Sequence, residues 1–353
     1  MDRKKMYEDL AKHLDQAPIG APMSPSLLGV LEILFPEEEE INVALKLPLM
    51  NKKLSELKEL HSDVPNIEEI LERMVKRGTV FVSQRPGQEK KYRLLPTVEG
   101  LAETPYWGGK DTPETHKLAP LWLKYREEGF AQEISRGVPP TRVIPVSQTV
   151  QAPGDVLPFD ALKPMIEATS YRAVGQCPCR KMKTLIGEGC DHSTENCLHF
   201  GSMARYMVEQ DMAREITVDE TLKILKESNE EGLVHVGDNI EGHLATICNC
   251  CGCCCAFLAT KNQMGLQTFA ISNYVAQVDT EACSACGTCE ERCPMEAIAV
   301  GDEEYAVVDA EKCIGCGVCT PTCPTESVDL TLRGEVNPPP KIEEFMTARL
   351  SKS

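Results

Sequence analysis

The sequence predicts a multidomain α+β protein, and three observations along its 353 residues support this class. The N-terminal third shows helical periodicity followed by a hairpin pattern. The middle third holds two cysteine-rich loops separated by helical segments, and the C-terminal part repeats one cysteine pattern. We expect a helix-and-hairpin domain at 1–104, a linker-like region at 105–160, a helical cysteine-rich domain at 161–274, a second cysteine domain at 275–335 and a tail at 336–353.

Local signals mark the elements of the N-terminal third. Ser24 is a candidate N-cap, and Pro25 stands at the first helical position after it. Segment 66–77 places apolar residues at i, i+3, i+4, i+7 and i+8, and Gly78 ends it. TVFVS and KYRLL then flank QRPGQEK, which predicts a hairpin with a Pro-Gly turn.

Helices followed by a hairpin resemble the winged-helix fold, over about residues 23–97. Many winged helices bind DNA through their last helix. Here that helix, 66–77, carries three acidic and three basic side chains, whereas a DNA reader normally shows a basic stripe. We therefore expect a scaffold or protein-docking module, with DNA binding as the alternative.

The amino-acid composition limits the classes of binding partner that the chain could have. The net charge of −17 disfavours nucleic acid and anionic membranes and suits docking to a basic protein surface. No apolar run is long enough to span a membrane, and the N-terminus lacks the apolar run of a signal peptide. We expect a cytoplasmic protein, in which 18 cysteines indicate metal or redox sites rather than disulfides.

The C-terminal cysteines form an internal repeat. Residues 283–294 (CSACGTCEERCP) and 313–324 (CIGCGVCTPTCP) both have the spacing C-x2-C-x2-C-x3-C-P. Two-residue gaps let a short turning loop aim three sulfurs at one compact body, and this spacing is that of iron–sulfur proteins in which the fourth cysteine serves the other cluster. Structural zinc, the alternative, does not need C-x3-C-P.

This segment resembles a bacterial two-cluster ferredoxin over roughly residues 275–332, including the apolar runs AIAV and SVDL. The resemblance implies two [4Fe-4S] clusters and one-electron transfer. It assigns one cluster to Cys283, Cys286, Cys289 and Cys323. It assigns the other cluster to Cys313, Cys316, Cys319 and Cys293.

Ten further cysteines lie in the middle third and are candidate metal ligands. The first group is Cys177, Cys179, Cys190 and Cys197. The second group, in the loop CNCCGCCC, is Cys248, Cys250, Cys251, Cys253, Cys254 and Cys255. The four cysteines of the first group are as many thiolates as one cubane [4Fe-4S] cluster needs. Predicted helices separate the groups, so folding could bring the two loops together.

Several ligand schemes fit ten thiols. Two additional clusters would leave two cysteines spare, whereas one cluster, of cubane or unusual type, would leave several as packing thiols. Zinc and free thiols are the alternatives; we favour at least one extra iron–sulfur centre. Four histidines flank the loops, and we expect them to act as hydrogen-bond donors rather than as iron ligands. They are His192, His199, His235 and His243. Arg180, beside Cys179, could offset the charge of a thiolate cluster.

The whole arrangement resembles a group of iron–sulfur proteins from anaerobes, which implies redox work. The favoured hypothesis is an electron-transfer subunit that serves a partner flavoprotein or metalloenzyme, rather than a stand-alone enzyme. The second is an oxidoreductase with a catalytic cluster at CNCCGCCC that reduces a small molecule or a disulfide. The third is a redox-sensing DNA-binding regulator. No Rossmann or P-loop motif suggests a nucleotide site.

Overall fold

A computed structural model describes residues 2–146, 159–302, 304–334 and 336–351 of the chain. Helices and several separate sheets are both present, which confirms the α+β class. In the described residues, no helix has the length and apolar character needed to cross a bilayer.

The N-terminal part is helical with a small antiparallel sheet. Its elements are α1 (Arg3–Leu14), α2 (Pro25–Leu34), α3 (Glu38–Lys46), β1 (Lys52–Lys53), α4 (Leu54–Leu60), α5 (Ile67–Arg77), β2 (Val80–Ser83) and β3 (Lys91–Leu94). The Ser24 hydroxyl accepts a hydrogen bond from the Leu27 N–H at 3.1 Å and caps α2. Gly78 ends α5 at a φ of 79°, a left-handed conformation that favours glycine. The sheet order is β1-β3-β2; the winged-helix resemblance stays a prediction.

The region expected to be a linker is largely folded. It contains α6 (Thr104–Trp107), α7 (Pro113–Tyr125), α8 (Ala131–Ser135) and β4 (Thr141–Ile144). Its prolines suggested a linker, but Pro113 occupies the first turn of α7, where a missing N–H costs nothing. Trp107, Trp122 and Tyr125 are buried in the N-terminal core. Residues 147–158 of the expected linker lie outside the described residues.

The middle part, expected to be helical, is built on a sheet. Its helices are α9 (Phe159–Ala168), α10 (Pro178–Leu185), α11 (Gly201–Glu209), α12 (Val218–Glu230) and α13 (Leu258–Met264). Its strands are β5 (Arg172–Gln176), β6 (Glu195–Phe200), β7 (Arg214–Glu215), β8 (Val234–Asp238) and β9 (Thr246–Cys250). With β4 these strands form an antiparallel six-stranded sheet in the order β4-β8-β9-β6-β5-β7. The strands are short, and cysteines and histidines obscure their alternation, so the sequence pattern missed them.

The C-terminal part has two short strand pairs. Its elements are β10 (Tyr274–Val278), α14 (Thr288–Arg292), β11 (Ile298–Val300), β12 (Ala306–Val308), β13 (Val328–Leu332) and α15 (Ile342–Leu350). β10 pairs with β13 and β11 with β12, both antiparallel. The apolar runs AIAV and SVDL thus lead into strands, as expected.

The tail is also folded over its described residues, 336–351. Helix α15 packs back on the N-terminal part through Arg349, whose side chain is fully buried. Its guanidinium donates hydrogen bonds to the carbonyl oxygens of Pro18 at 3.0 Å and Glu133 at 3.1 Å. The last helix therefore packs against the segment around Pro18 and against α8, which the sequence did not predict.

Candidate metal centres and the ring cavity

The two C-terminal cysteine loops have the same local geometry. The Sγ of Cys293 accepts a hydrogen bond from the Ala297 N–H at 3.2 Å, and the Sγ of Cys323 accepts one from the Ser327 N–H at 3.3 Å. Gly287 and Gly317, each one residue after the second cysteine of its copy, share a φ of 77°. Backbone N–H groups that point at sulfur stabilise thiolate, the form that binds iron.

Cys293 from the first copy lies with three cysteines of the second. Together with apolar side chains they line one small cavity; the three are Cys313, Cys316 and Cys319. Burial raises the pKa of Cys316 to about 12. A thiolate at this depth therefore needs a cation beside it, and the donor set fits a cluster iron.

The two loops differ in their exposure. Cys286 of the first loop is exposed, whereas the three cysteines of the second loop are buried. Val146, just after β4, donates its N–H to the Cys316 carbonyl oxygen at 2.8 Å. A Cβ on Gly317 would lie 2.2 Å from the Val146 carbonyl oxygen, so only glycine permits this approach. The first loop faces outward and the second faces the middle domain.

The structure divides the ten middle cysteines into a group of four and a group of six. Each group contains cysteines from both of the loops that the sequence distinguishes. The four-thiol group comprises Cys190, Cys251, Cys253 and Cys254, whose Sγ atoms all lie within 4.8 Å of one another. The Cys190 Sγ is 3.9 Å from that of Cys251 and 3.6 Å from that of Cys254. The pKa of Cys251 lies well below its usual value because Cys254 hydrogen-bonds to it and Arg180 is nearby. Four such sulfurs match a tetrahedral metal or a cubane.

The remaining six cysteines form a second set, the six-thiol ring. Its members in order of contact are Cys177, Cys179, Cys255, Cys250, Cys248 and Cys197. Each thiol lies near enough to the next for the two to shift each other's pKa, and Cys197 lies near enough to Cys177 for their charges to interact. The expected set 177, 179, 190 and 197 is therefore divided, because Cys190 belongs to the four-thiol group.

The strand geometry explains how one loop serves two sites. Cys248 and Cys250 are two residues apart on β9, so they point to the same face of the sheet. Cys197 and His199 are likewise two apart on the neighbouring strand β6, and His199 pairs with Thr246 of β9. After Cys250 the strand ends and the chain turns, so that Cys251, Cys253 and Cys254 join the other group, and Cys255 returns to the ring.

One buried cation lies between the two thiol sets. The Arg180 side chain is 1% exposed, and its guanidinium donates to the Asn249 carbonyl oxygen at 3.0 Å and to Asn196 Oδ1 at 2.5 Å. Burial alone would lower the pKa of Arg180, but the thiols of Cys177 and Cys251 outweigh burial and raise it. Its charge therefore interacts with both sets.

A cavity of about 400 Å³, the ring cavity, adjoins the six-thiol ring. Glu99, Glu103, Trp107 and His199 contribute to its wall. Burial raises the pKa of Glu103 to about 8, and burial with the nearby charge of Asp238 raises that of Glu99. Both carboxyl groups therefore bind a proton more readily than an exposed glutamate does.

A hydrogen-bonded chain joins Glu99 to the ring. The Thr246 hydroxyl donates to Glu99 Oε2 at 2.9 Å and lies 3.3 Å from His199 Nδ1. His199 Nε2 is 3.1 Å from the Cys197 Sγ. Sequence analysis named His199 but missed Glu99, Glu103, Thr246 and Trp107. Glu99 is 147 positions from Thr246, and no spacing signal could have joined them.

The other histidines that flank the loops do not touch a cysteine in the described contacts. His235 Nδ1 lies 2.6 Å from Asn249 Oδ1, and this contact fixes the orientation of the His235 imidazole beside β9. His192 faces Glu231 at 3.8 Å, and His243 faces Asp238 at 3.3 Å.

Comparison with known proteins defines the class of the C-terminal part. Residues 273–327 match the family model of the 4Fe-4S dicluster domain. A 33-residue stretch is 49% identical to the 4Fe-4S ferredoxin FdxA of Gottschalkia acidurici. That stretch is 9% of this chain and spans 59% of the length of that ferredoxin. No solved structure matches the chain. These similarities support the predicted ferredoxin-type domain and an iron–sulfur electron-transfer role for it.

Proposed function

We propose that the chain is an electron-transfer protein in which four metal centres form one path. Two [4Fe-4S] clusters occupy the ferredoxin-type domain with the ligands that the sequence assigned, an outer set of Cys283, Cys286, Cys289 and Cys323 and an inner set of Cys293, Cys313, Cys316 and Cys319. The four-thiol group holds a third cluster, and the six-thiol ring holds a further iron–sulfur centre. The observation that carries this proposal is one buried cluster that contains cysteines of both domains. Its cysteines are Cys250 and Cys255 of the ring and Cys289, Cys313, Cys316 and Cys319 of the ferredoxin-type domain.

The contact between the inner ferredoxin set and the four-thiol group supports the path. Cys293 lines the same cleft as Cys251 and Cys253. Asn262 of α13 donates its Nδ2 hydrogens to the carbonyl oxygens of Pro294 at 2.8 Å and of Gly252 at 3.4 Å. One side chain thus ties the residue after Cys293 to the residue after Cys251. Clusters held this closely can exchange electrons by tunnelling.

A second contact supports electron transfer to the ring. Cys250 and Cys255 of the ring pack in one apolar core with Cys313, Cys316 and Cys319. Arg292 fixes the two domains by donating hydrogen bonds to the carbonyl oxygens of Asn229 at 2.7 Å and Glu230 at 2.9 Å. These contacts favour a fixed orientation of the domains, as a path with defined distances requires.

We infer that electrons are exchanged with a partner at the outer ferredoxin loop, where Cys286 is exposed. The net charge of −17 favours a basic surface on that partner, which would be a flavoprotein or metalloenzyme. The N-terminal part would act as a winged-helix-like docking module. The negative net charge also disfavours DNA as a partner, because DNA is itself negatively charged.

The metal content of the full-length chain tests the proposal. We expect about sixteen irons and a similar amount of acid-labile sulfide per chain after anaerobic purification, from four centres of at least four irons each. Zinc should be far below one equivalent. About eight irons together with one or two zincs would contradict the path, because zinc has no redox chemistry and the middle domain would then be structural.

A further inference from the structure

A second cavity, of about 480 Å³, lies between the β2–β3 hairpin and helix α11 and is called here the hairpin cleft. Ser83, Arg85 and Lys91 line it from the hairpin. Ser202 and Arg205 line it from α11. Among the described residues no cysteine lines it, so its volume belongs to none of the proposed metal centres. Small-molecule sites typically measure roughly 300–1,000 Å³, and the cleft falls in this range.

The cleft concentrates positive charge in a chain whose net charge is −17. Arg85, Lys91 and Arg205 form no ion pair with a carboxylate in the described part of the chain. Lys53 adds a further positive charge, because it stands directly opposite Lys91 where β1 pairs with β3. Like charges in such a pair destabilise a sheet, so an anion bound beside them would relieve the repulsion.

Two carboxyl groups also line the cleft, but they do not cancel this charge. The Glu89 carboxylate is already engaged, because it accepts hydrogen bonds from the N–H and the hydroxyl of Ser55 at the start of α4. Glu209 is the last residue of α11, and the helical rise places it about 10 Å from Ser202. The end of the cleft beside Ser202 is therefore positive.

Helix α11 begins at this positive end. Phe200 stands at its N-cap, so no N-cap side chain accepts a hydrogen bond from the N–H groups of the first turn. The Arg205 guanidinium reaches back to the same end, since it lies 4.5 Å from the centre of the Tyr171 ring. The Tyr171 carbonyl oxygen in turn accepts the Gly201 N–H at 2.9 Å. An uncapped helix start beside an unpaired arginine favours a bound anion.

The cleft offers more hydrogen-bond donors than a carboxylate can accept from. Tyr206 lines it, is 1% exposed, and has a hydroxyl without a hydrogen-bond partner among the described residues. A buried donor of this kind costs free energy unless a bound molecule or water satisfies it. The hydroxyls of Ser170 and Ser202 lie in the same wall. A phosphate group brings three strong acceptor oxygens, whereas a carboxylate brings two, so the donors favour phosphate.

We propose that the hairpin cleft binds a small phosphate-bearing molecule. Its phosphate group lies at the start of α11, between Arg205 and Lys91, and so joins the N-terminal hairpin to the middle domain. The net charge of −17 favours a small anion over nucleic acid, whose many phosphates the rest of the chain repels. The site uses no metal centre and adds a ligand to the proposed electron-transfer function.

Inorganic pyrophosphate is the probe for this site. The full-length, anaerobically purified protein is titrated with it by isothermal calorimetry at constant ionic strength. We expect saturable binding of one equivalent per chain. Malonate, a dicarboxylate without phosphate, should bind weaker by about tenfold or more, because it satisfies fewer donors at each charged group.

Two variants test the placement of the phosphate. Ser202→Asp puts a carboxylate in the first turn of α11, where it repels phosphate but suits the helix dipole, so the fold should be kept. Lys91→Gln removes one of the unpaired charges. Each should weaken pyrophosphate binding by about tenfold or more, with iron content at the wild-type value. Lys117→Gln removes one positive charge at an exposed position of α7 and is the matched control, which should bind as the wild type does.

Three outcomes would overturn the inference. The first is the absence of saturable pyrophosphate binding to the wild-type chain. The second is equal affinity in Ser202→Asp and Lys117→Gln, since the probe would then bind outside the cleft. The third comes from a short DNA duplex titrated in the same buffer: duplex binding that Ser202→Asp weakens would make the cleft a nucleic-acid site instead.

Discussion

The carbonyl oxygen of Pro294 lies against Gly252 so closely that a Cβ on this glycine would be 2.3 Å away from it. Pro294 follows a proposed ligand of the inner ferredoxin cluster, and Gly252 separates two members of the four-thiol group. The residue with the smallest side chain thus stands where the two proposed metal centres would meet. The contact sets how near the centres can approach, because any larger residue would push the loops apart.

Gly252→Ala should therefore separate the two loops. The added methyl group meets backbone rather than a flexible side chain, so we expect destabilisation of about 1–3 kcal/mol, the usual range for overpacking. Electron transfer from the ferredoxin clusters to the middle domain should also slow. Stopped-flow reduction with dithionite, followed by rapid-freeze EPR, would measure this.

Gly87→Ala is the matched control for that variant. Gly87 lies in the β2–β3 turn, and a Cβ there would have no atom within 4 Å. Its positive φ of 71° costs strain without a change at any thiol. Equal electron-transfer rates in the two variants would show that the Gly252 contact does not control the path.

The division of the middle cysteines predicts which centre each one serves. Cys190→Ser should remove about four irons per chain and leave the ferredoxin signals intact, because the thiols that contact Cys190 in the described residues belong to the four-thiol group. Cys197→Ser should affect the ring instead. If both variants lost the same spectral component, the ten thiols would form one centre rather than two.

The ferredoxin assignment makes a similar prediction. Cys289→Ala should damage the outer cluster more than the inner one, because Cys289 shares its proposed cluster with exposed Cys286 rather than with Cys316. Iron content and the EPR of the reduced protein would measure the loss. Retention of both clusters with unchanged spectra would refute the assigned ligand sets.

The ferredoxin-type repeat could be predicted from sequence because the four cysteines of each copy lie within a dozen residues of one another, at a fixed spacing that recurs in the second copy. The middle sites could not. Cys190 reaches its partners across 61 positions, and a strand end decides that Cys250 and Cys251 face different sets. Spacing carries no information about a contact that the sheet creates. The cavity depends on Glu99, which enters from another part of the chain altogether.

The linker and tail show the same limit. Prolines at 113 and 120 suggested an open connection, yet one begins helix α7 and the other lies within it. Helix α15 follows a proline-rich segment and carries a buried arginine, which no hydrophobic pattern signals. Tertiary packing, rather than local preference, orders both regions.

Arg180 should set the reduction potentials of both middle centres. Its positive charge stabilises the extra electron of a reduced cluster, so Arg180→Met should lower both potentials. The shift should be on the order of 100 mV for a unit charge at a few ångströms with an effective dielectric of about 20. Arg180→Lys keeps the charge and should restore most of the shift. Redox titration by EPR would measure it, and a change confined to one centre would show that the cation does not serve both.

His61 should make the stability of the N-terminal part depend on pH. Its side chain is 1% exposed, and neither ring nitrogen has a hydrogen-bond partner among the described residues. Burial, with a smaller effect from Lys46, lowers the pKa of His61 below its usual 6.5. The unfolded chain therefore binds a proton more readily than the folded one, and stability falls as the pH drops from about 7 towards the folded pKa.

His61→Leu removes the proton site and the unsatisfied nitrogens together. The variant should match or exceed the stability of the wild type at pH 7.5, since an apolar side chain replaces an unpaired polar one. Its advantage should grow at pH 5.5, by at most about 1.4 kcal/mol per pH unit, the limit for one proton. Urea unfolding under argon, followed by tryptophan fluorescence, measures both values. An advantage that stayed constant between the two pH values would mean that His61 keeps its ordinary pKa in the folded chain.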